Sequence, residues 1–398
     1  MAALGMVLLA GTTAVACSST TSSSTTTTSG SASTGGSTTA TGGRTIPSSA
    51  YSDHTGITAT TVRVGNVSTL ALGGLFKGAL VGTEAYADYV NSTGGVNGRK
   101  IVVDSADDQY TGTGNKQATQ NAVSTDVALV GGFSTFDSYG GTVLAANPGV
   151  PDVAQVLDPA TNKLPNVFSS VPLEGGWQEG ALQYFKGVFG SSALQKVGTL
   201  VADLPSPEAD WAGEKYVMEK VGYKVVYEEL YGDTQFDFTQ NVIAMKNAGV
   251  KVLFIDQMSE VYASALLKNL VQQDFHPIVV LGAATYSTAL IPAAGGPAAV
   301  NGSYFDQNAS LYLGGDASAI PSVATFLHWV NVASPGFKPD LFTLYGWLSG
   351  QLFSQALKNA GSDPSRGSIL QALGKVTSFN GGNIVTTSDP AAKTTSNC

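Results

Sequence analysis

Adjacent carboxylates at Asp107 and Asp108, in the word SADDQY, are the side chains in this chain best suited by type to acid-base chemistry. Paired carboxylates do such work when both flank one substrate bond. Neighbours on an extended segment point to opposite faces, so this pair reads as loop carboxylates capping the helix that follows. Nucleophilic chemistry finds no better footing. GGFSTFD (131–137) lacks the second glycine of a nucleophile elbow, and TGTGNK (111–116) has neither the spacing nor the hydroxyl after lysine that a phosphate loop needs. Gln117 stands where a dinucleotide fingerprint would place its last glycine. Of three histidines, His54 lies in a linker, His276 precedes a proline, and His328 sits between Leu327 and Trp329. None has a second histidine at ligand spacing, so neither a metal nor a cofactor is expected. Trp177, Trp211 and Trp347 read as packing residues. No catalytic residue is assigned.

Polar side chains instead collect where short β-branched runs end. Ser68 and Thr69 follow TVRVGNV; Phe133, Ser134 and Thr135 follow ALVGG; Gln155 follows VPDVA. Asp256 and Gln257 follow KVLFI, and Thr285 and Tyr286 follow PIVVLGA. The carboxyl ends of parallel strands are where open α/β sheets bind ligands. Ser68, Thr69, Phe133, Ser134, Thr135, Gln155, Asp256, Gln257 and Tyr286 are therefore the candidate ligand-binding set. Hydroxyls, backbone N–H groups and one carboxylate would fix the polar end of a small molecule.

The elements that must position these residues alternate. Strand-like TVRVGNV, KIVVDS, DVALVGG and VPDVAQV are separated by FKGALVGTEAYADYVN, GNKQATQNAVST and SYGGTVLAAN, in which apolar residues recur at helical spacing. A second block repeats the rhythm through KVGTLVA, YKVVYEEL, KVLFIDQ and PIVVLGA, with helices between them. Parallel strands need long crossovers, so each block implies a parallel sheet with helices on both faces. The fold class is α/β, with two Rossmann-like lobes. After GSYFDQ (302–307) come two helical runs, SVATFLHWV and LFTLYGWLSGQLFSQALKNAG, with no strand to follow until about Gly382. These helices are expected to return to the first lobe.

Composition constrains the setting. The net charge is −9 and charged residues make up only 12% of the chain, with no run of Lys and Arg interleaved with aromatics. Nucleic acid is not an expected partner. Apolar residues over 1–16 form a stretch shorter than the roughly 20 residues that cross a bilayer, which suits an export signal. Small residues directly before Cys17 resemble the bacterial lipoprotein signal, in which the cysteine is lipidated and becomes the first mature residue. Residues 18–55, dominated by Ser, Thr and Gly, lack the apolar surface to offset the entropy of ordering. They form a flexible tether averaging about 30 Å. The only other cysteine, Cys398, ends the chain.

Longer words carry a resemblance. AYADYVNSTGGVNGRKIVVDSADDQY, then DVALVGG with its hydroxyls, GVPDV, NVFSSVP, FDFTQNVIAMKNAGVKVLFI, ALLKNLVQQDFHP and LFSQALKNAG resemble, in order, the type 1 periplasmic binding proteins. Most similar is the leucine/isoleucine/valine-binding kind of substrate-binding protein of ABC importers. The resemblance implies two lobes joined by three crossovers, with a hinge and an interlobe cleft. It implies that 56–170 and 307–375 form one lobe, with 171–306 and 376–398 forming the other. It implies that Ser134 and Thr135 grip a carboxylate while Asp256 meets an ammonium. TLALGGLF departs from the family by lacking an early pocket aromatic, a role open to Phe76 or Phe133.

The expected function is capture of a small metabolite, an amino acid or related compound, outside the cytoplasm by a lipid-anchored monomer that delivers it to an ABC permease. A ligand-sensing surface lipoprotein of the same fold is the alternative. An anchored hydrolase is a weaker one, because no base stands near a strand-end nucleophile.

Overall fold

The computed structural model describes residues 40–41, 44–172, 179–255 and 258–395. Two five-stranded sheets organise them, and within each sheet every neighbouring pair of strands is parallel. The first contains β1 (Thr61–Ser68), β2 (Lys100–Asp107), β3 (Ala128–Val130), β4 (Asp152–Val153) and β5 (Val167–Phe168), in the order β2-β1-β3-β4-β5. The second contains β6 (Val197–Ala202), β7 (Val225–Tyr231), β8 (Val252–Ile255), β9 (Ile278–Gly282) and β10 (Tyr304–Asp306), in the order β10-β9-β8-β6-β7. All four residues of β8 are buried, as expected of a strand covered by helices on both faces.

Helices α1 (Lys77–Ser92), α2 (Gly112–Thr125) and α3 (Asp137–Ala146) connect the first sheet. α4 (Gly180–Phe189), α5 (Pro205–Val221), α6 (Thr239–Ala248) and α7 (Glu260–Gln272) serve the second. Local chemistry sets their ends. Thr111 caps α2 by accepting the Gly114 N–H at 3.0 Å, whereas α5 begins on Pro205 and stops at Gly222 in the left-handed region.

The chain returns after β10 to α8 (Pro321–Ala333), α9 (Leu341–Asn359) and α10 (Arg366–Leu373). These pack on the first lobe. Leu344, Leu348, Leu352 and Phe353 of α9 share one core with Val62, Val64, Ala79 and Ala85. α1 and α9 lie backbone to backbone. A Cβ at Gly82 would overlap the Thr343 carbonyl, and one at Gly346 would overlap the Ala79 carbonyl. Asp340 starts α9 with a reciprocal cap, accepting the Thr343 N–H at 2.8 Å while its own N–H donates to Thr343 Oγ1 at 3.1 Å.

One boundary differs from expectation. The segment after 375 was expected to join the second lobe, but Val376, Phe379, Ile384 and Val385 are buried in the first lobe's core. Their apolar side chains find cover against α9, where a Cβ on Gly381 would meet Leu348. Val385 also bridges to Ala309 on the returning chain, which ties the tail to the passage between lobes. The tether, expected to run to residue 55, ends earlier: Ile46 and Ala50 are buried in the first lobe's core and Asp53 pairs with Arg366 of α10 at 2.8 Å, because apolar side chains and a buried guanidinium there hold this stretch down. Residues 1–17, with Cys17, and most of the tether lie outside the described residues, as does Cys398.

Candidate functional site: a cavity between the lobes

Strand ends from both sheets converge on a cavity of about 190 Å³. The first lobe lends Leu75, Phe76, Tyr110, Phe133, Thr135 and Gln155. From the second come Leu204, Asp210, Tyr231, Met258, Tyr262 and Asp306, with Asn308 just beyond β10. α9 adds Leu341, Phe342 and Tyr345 from its first turns.

The apolar wall is aromatic. Phe76 and Phe133 meet edge to face at 4.9 Å, Phe76 meets Phe342 at 4.6 Å, and Phe133 lies 4.5 Å from Phe342. Phe76 and Phe133 are the two residues open for the missing loop aromatic, and both line the cavity. Such ring contacts add about 0.5–1.5 kcal/mol each beyond the area they bury. They make this wall rigid.

Polar groups on the wall are few. Thr135 Oγ1, Ser259 Oγ and Asn308 Oδ1 are shielded from solvent without a hydrogen-bond partner. Asn308 donates to Tyr345 at 3.5 Å. Gln155 Oε1 accepts from Ser169 at 2.6 Å. Burial, with Asp210 adding its charge, pushes the Tyr345 phenol up to about 12. Burial does the same to Tyr110, helped by Tyr262 and Asp233 of the other lobe. Both phenols stay neutral at ordinary pH. Among the described residues no group of three or more His, Cys, Asp or Glu could hold a metal ion. No helix there is long and apolar enough to cross a membrane.

Of the residues proposed from the sequence, Phe133, Thr135 and Gln155 line this cavity. Ser68, Thr69, Ser134 and Tyr286 do not, and the reason is prior commitment. Ser68 Oγ donates to Asn66 Oδ1 at 2.7 Å and accepts the Phe133 N–H at 3.2 Å. Thr69 Oγ1 donates to Asp108 at 2.8 Å, and Ser134 Oγ donates to the other Asp108 oxygen. Tyr286 packs edge-on against Phe305 and Tyr312, away from the cavity. Asp256 and Gln257 lie outside the described residues.

Asp108 thus holds the loops together from behind. Fully buried, it accepts from Thr69, Ser134, Asn115 and the Tyr110 N–H. Asp107 braces the loop after β1 by accepting the N–H groups of Leu70 at 2.9 Å and Ala71 at 3.2 Å. Sequence reasoning missed Asp210, Asp306 and Tyr345 as wall residues. Asp306 ends β10, and that strand-end position is the signal that would have found it.

The lobes also touch beside the cavity. Asp137, in the first turn of α3, accepts the Leu157 N–H at 2.6 Å and the Asp158 N–H at 3.1 Å through one oxygen. Its other oxygen accepts Ser206 Oγ of α5, on the second lobe, at 2.6 Å. Burial raises this carboxyl to about 6 despite those hydrogen bonds.

Comparison with known proteins agrees with this architecture. The family model described as periplasmic binding protein matches residues 61–398. A Leu/Ile/Val-binding protein homolog of Brucella suis is 25% identical over 290 residues, covering 71% of this chain and 73% of its own. A fatty acid ABC transporter substrate-binding protein from Thermomonospora curvata superposes with a TM-score of 0.71 at 17% identity, over 85% of this chain and 86% of its own. A branched-chain amino acid transporter substrate binding protein from Streptococcus pneumoniae, in complex with isoleucine, gives 0.65 at 18% identity, over 82% and 92%. With two parallel-sheet lobes enclosing a cavity and a family model that spans most of its length, this chain belongs to the periplasmic binding proteins, and its fold is that of type 1.

Proposed function

We propose that the chain is an extracytoplasmic solute-binding protein that holds a small metabolite, an amino acid or a related compound, between its lobes and presents it to the permease of an ABC importer. The observation that carries this reading is the cavity itself, walled from both lobes by residues at the carboxyl ends of parallel strands. A solute seated there touches both lobes at once only when they are together, so it favours closure by its differential affinity for that arrangement. Phe133, Thr135 and Gln155 contact the solute in this reading. Asp256, the acidic residue that the resemblance pairs with an ammonium, is proposed as a further contact, with Gln257 beside it.

The same reading has Cys17 carry a lipid and the Ser/Thr/Gly-rich residues that follow it, up to the point where Ile46 enters the first lobe's core, act as the tether that holds a monomer at the outer face of the membrane. Residues 56–170 and 307–375 serve as one lobe and 171–306 as the other, with the described part of the tail on the first. Isothermal titration against amino acids, their amides, short-chain acids and urea tests the proposal. Saturable binding of one class is expected, and silence from a folded protein across the panel rules out the amino-acid reading.

A further inference from the structure

We infer that Ser259 is the second lobe's hydroxyl contact with the solute, acting with Thr135 of the first lobe so that a compact polar solute is hydrogen-bonded from both sides of the cavity. This rests on the solute-binding reading above and names a residue through which the second lobe takes hold.

The start of α7 carries the first part. Ser259 is its N-cap residue, with φ −71° and ψ 160°, the extended conformation from which a serine caps a helix. Its carbonyl accepts the Ala263 N–H at 3.0 Å, so the helix does begin there. Its hydroxyl nevertheless caps nothing. Thr111, Asp158, Asp340 and Ser365 hold the same position at other α-helices, and each accepts a backbone N–H of the first turn through its side chain. Among the described residues, Ser259 is the one Ser, Thr or Asp at an α-helix start that does not.

Burial carries the second part. Ser259 lines the cavity, and its Oγ is shielded from solvent without a hydrogen-bond partner. Buried polar atoms are nearly always paired, and a hydroxyl both donates and accepts, so a group left in this state suits a ligand. Thr135 Oγ1 is in the same state on the first lobe's wall. Other hydroxyls close by are not: Ser68, Thr69 and Ser134 are each satisfied within their own lobe. Gln155 adds a third group. The Val171 N–H donates to Ser169 Oγ at 3.1 Å, and Ser169 Oγ donates to Gln155 Oε1, which leaves the amide's Nε2, a donor only, for the solute. Two hydroxyls and an amide donor suit a head with acceptor oxygens, such as a carboxylate or a carboxamide.

Size carries the third part. A dry apolar cavity of about 150 Å³ accommodates benzene. At 190 Å³, walled by Phe76, Phe133 and Phe342, this one fits a single ring or a short branched chain plus a small head, so its occupant meets both lobes. A hydrogen bond from Ser259 is lost when the lobes part, which makes it a contact that favours closure.

The test measures affinity and stability together. Leucine, isovalerate, isovaleramide and phenylacetate are titrated calorimetrically into the parent, Ser259→Ala and Ser365→Ala. Ser259→Ala is expected to weaken every compound that binds the parent by at least about fivefold, while leaving the melting temperature of the free protein unchanged or raised. Ser365→Ala, which removes a working cap, is expected to do the reverse: affinities within about twofold and a melting temperature about 2 °C lower. Affinities of Ser259→Ala within about twofold of the parent overturn the inference and leave the solute-binding reading intact. So does a melting temperature lowered as far as by Ser365→Ala, since the hydroxyl would then be a cap. Silence from every compound against a folded parent overturns this inference together with the amino-acid reading.

Discussion

Replacing Ser206 with alanine removes the hydrogen bond that joins α5 of one lobe to Asp137 on the other. Ser206 is 1% exposed, and its hydroxyl lies 2.6 Å from the Asp137 carboxylate. A hydrogen bond to a charged group contributes about 1.5–3 kcal/mol net, against about 0.5–1.5 kcal/mol between neutral partners. When the lobes separate, both groups regain water, so the loss falls on the closed arrangement alone. Each 1.4 kcal/mol is a factor of ten, which puts the shift in the closed-to-open ratio at about tenfold to a hundredfold. A solute that binds only the closed arrangement sees its apparent Kd rise by that factor if the free protein is mostly open, and by less if it is mostly closed.

Protonation supplies an internal control. Burial raises Asp137 to about 6, so its carboxylate is charged at pH 8 and largely neutral at pH 5. The Ser206→Ala penalty is therefore expected to be several-fold larger at pH 8 than at pH 5. Calorimetric titration at both pH values measures it with whichever panel compound binds, and a double-mutant cycle with Asp137→Ala isolates the pair. Affinities within twofold of the parent at both pH values would refute the assignment of this contact as a latch.

Three further outcomes follow from the packing and the titrating groups. Gly346→Ala is expected to destabilise the first lobe by about 1–3 kcal/mol, because the added methyl overlaps the Ala79 carbonyl; urea unfolding reads it directly. Asp108→Ala strands the Thr69 and Ser134 hydroxyls, the Asn115 amide and the Tyr110 N–H, at a cost of about 2–4 kcal/mol, seen as a lower melting temperature. Burial raises Asp126 and Asp152 to about 7 from an unfolded value of 3.8. Between those values the folded state keeps protons that the unfolded state has lost, so melting temperature is expected to fall as pH climbs from about 4 to 7. Asp126→Asn is expected to flatten that slope.

The scaffold was legible because its signals are local and redundant. TVRVGNV and KIVVDS alternate or concentrate β-branched residues, and they form β1 and β2 with ends shifted by no more than two residues. The stripe of Leu341, Leu344, Leu348 and Leu352 required a partner for a long helix, and α1 provides it. The tail was misplaced because Val376, Phe379, Ile384 and Val385 have no period of their own. Only the tertiary surface of α9 decides where they go.

Site chemistry was harder, since residue type at a strand end fixes position but not commitment. Ser68, Thr69 and Ser134 stand where a ligand-gripping hydroxyl belongs, yet each is taken up by a neighbour within the first lobe. Asp108, set aside as a loop carboxylate, is the acceptor for two of them. A buried carboxylate needs several donors, and the nearest are the hydroxyls at the adjacent strand ends. Satisfying that demand turns these hydroxyls inward and leaves the face toward the second lobe to Phe133, Thr135 and Gln155. The same internal network that makes the loops rigid thus decides which side chains are left to face a solute, and Thr135, whose hydroxyl has no partner on the wall, is the one hydroxyl of that loop it leaves over.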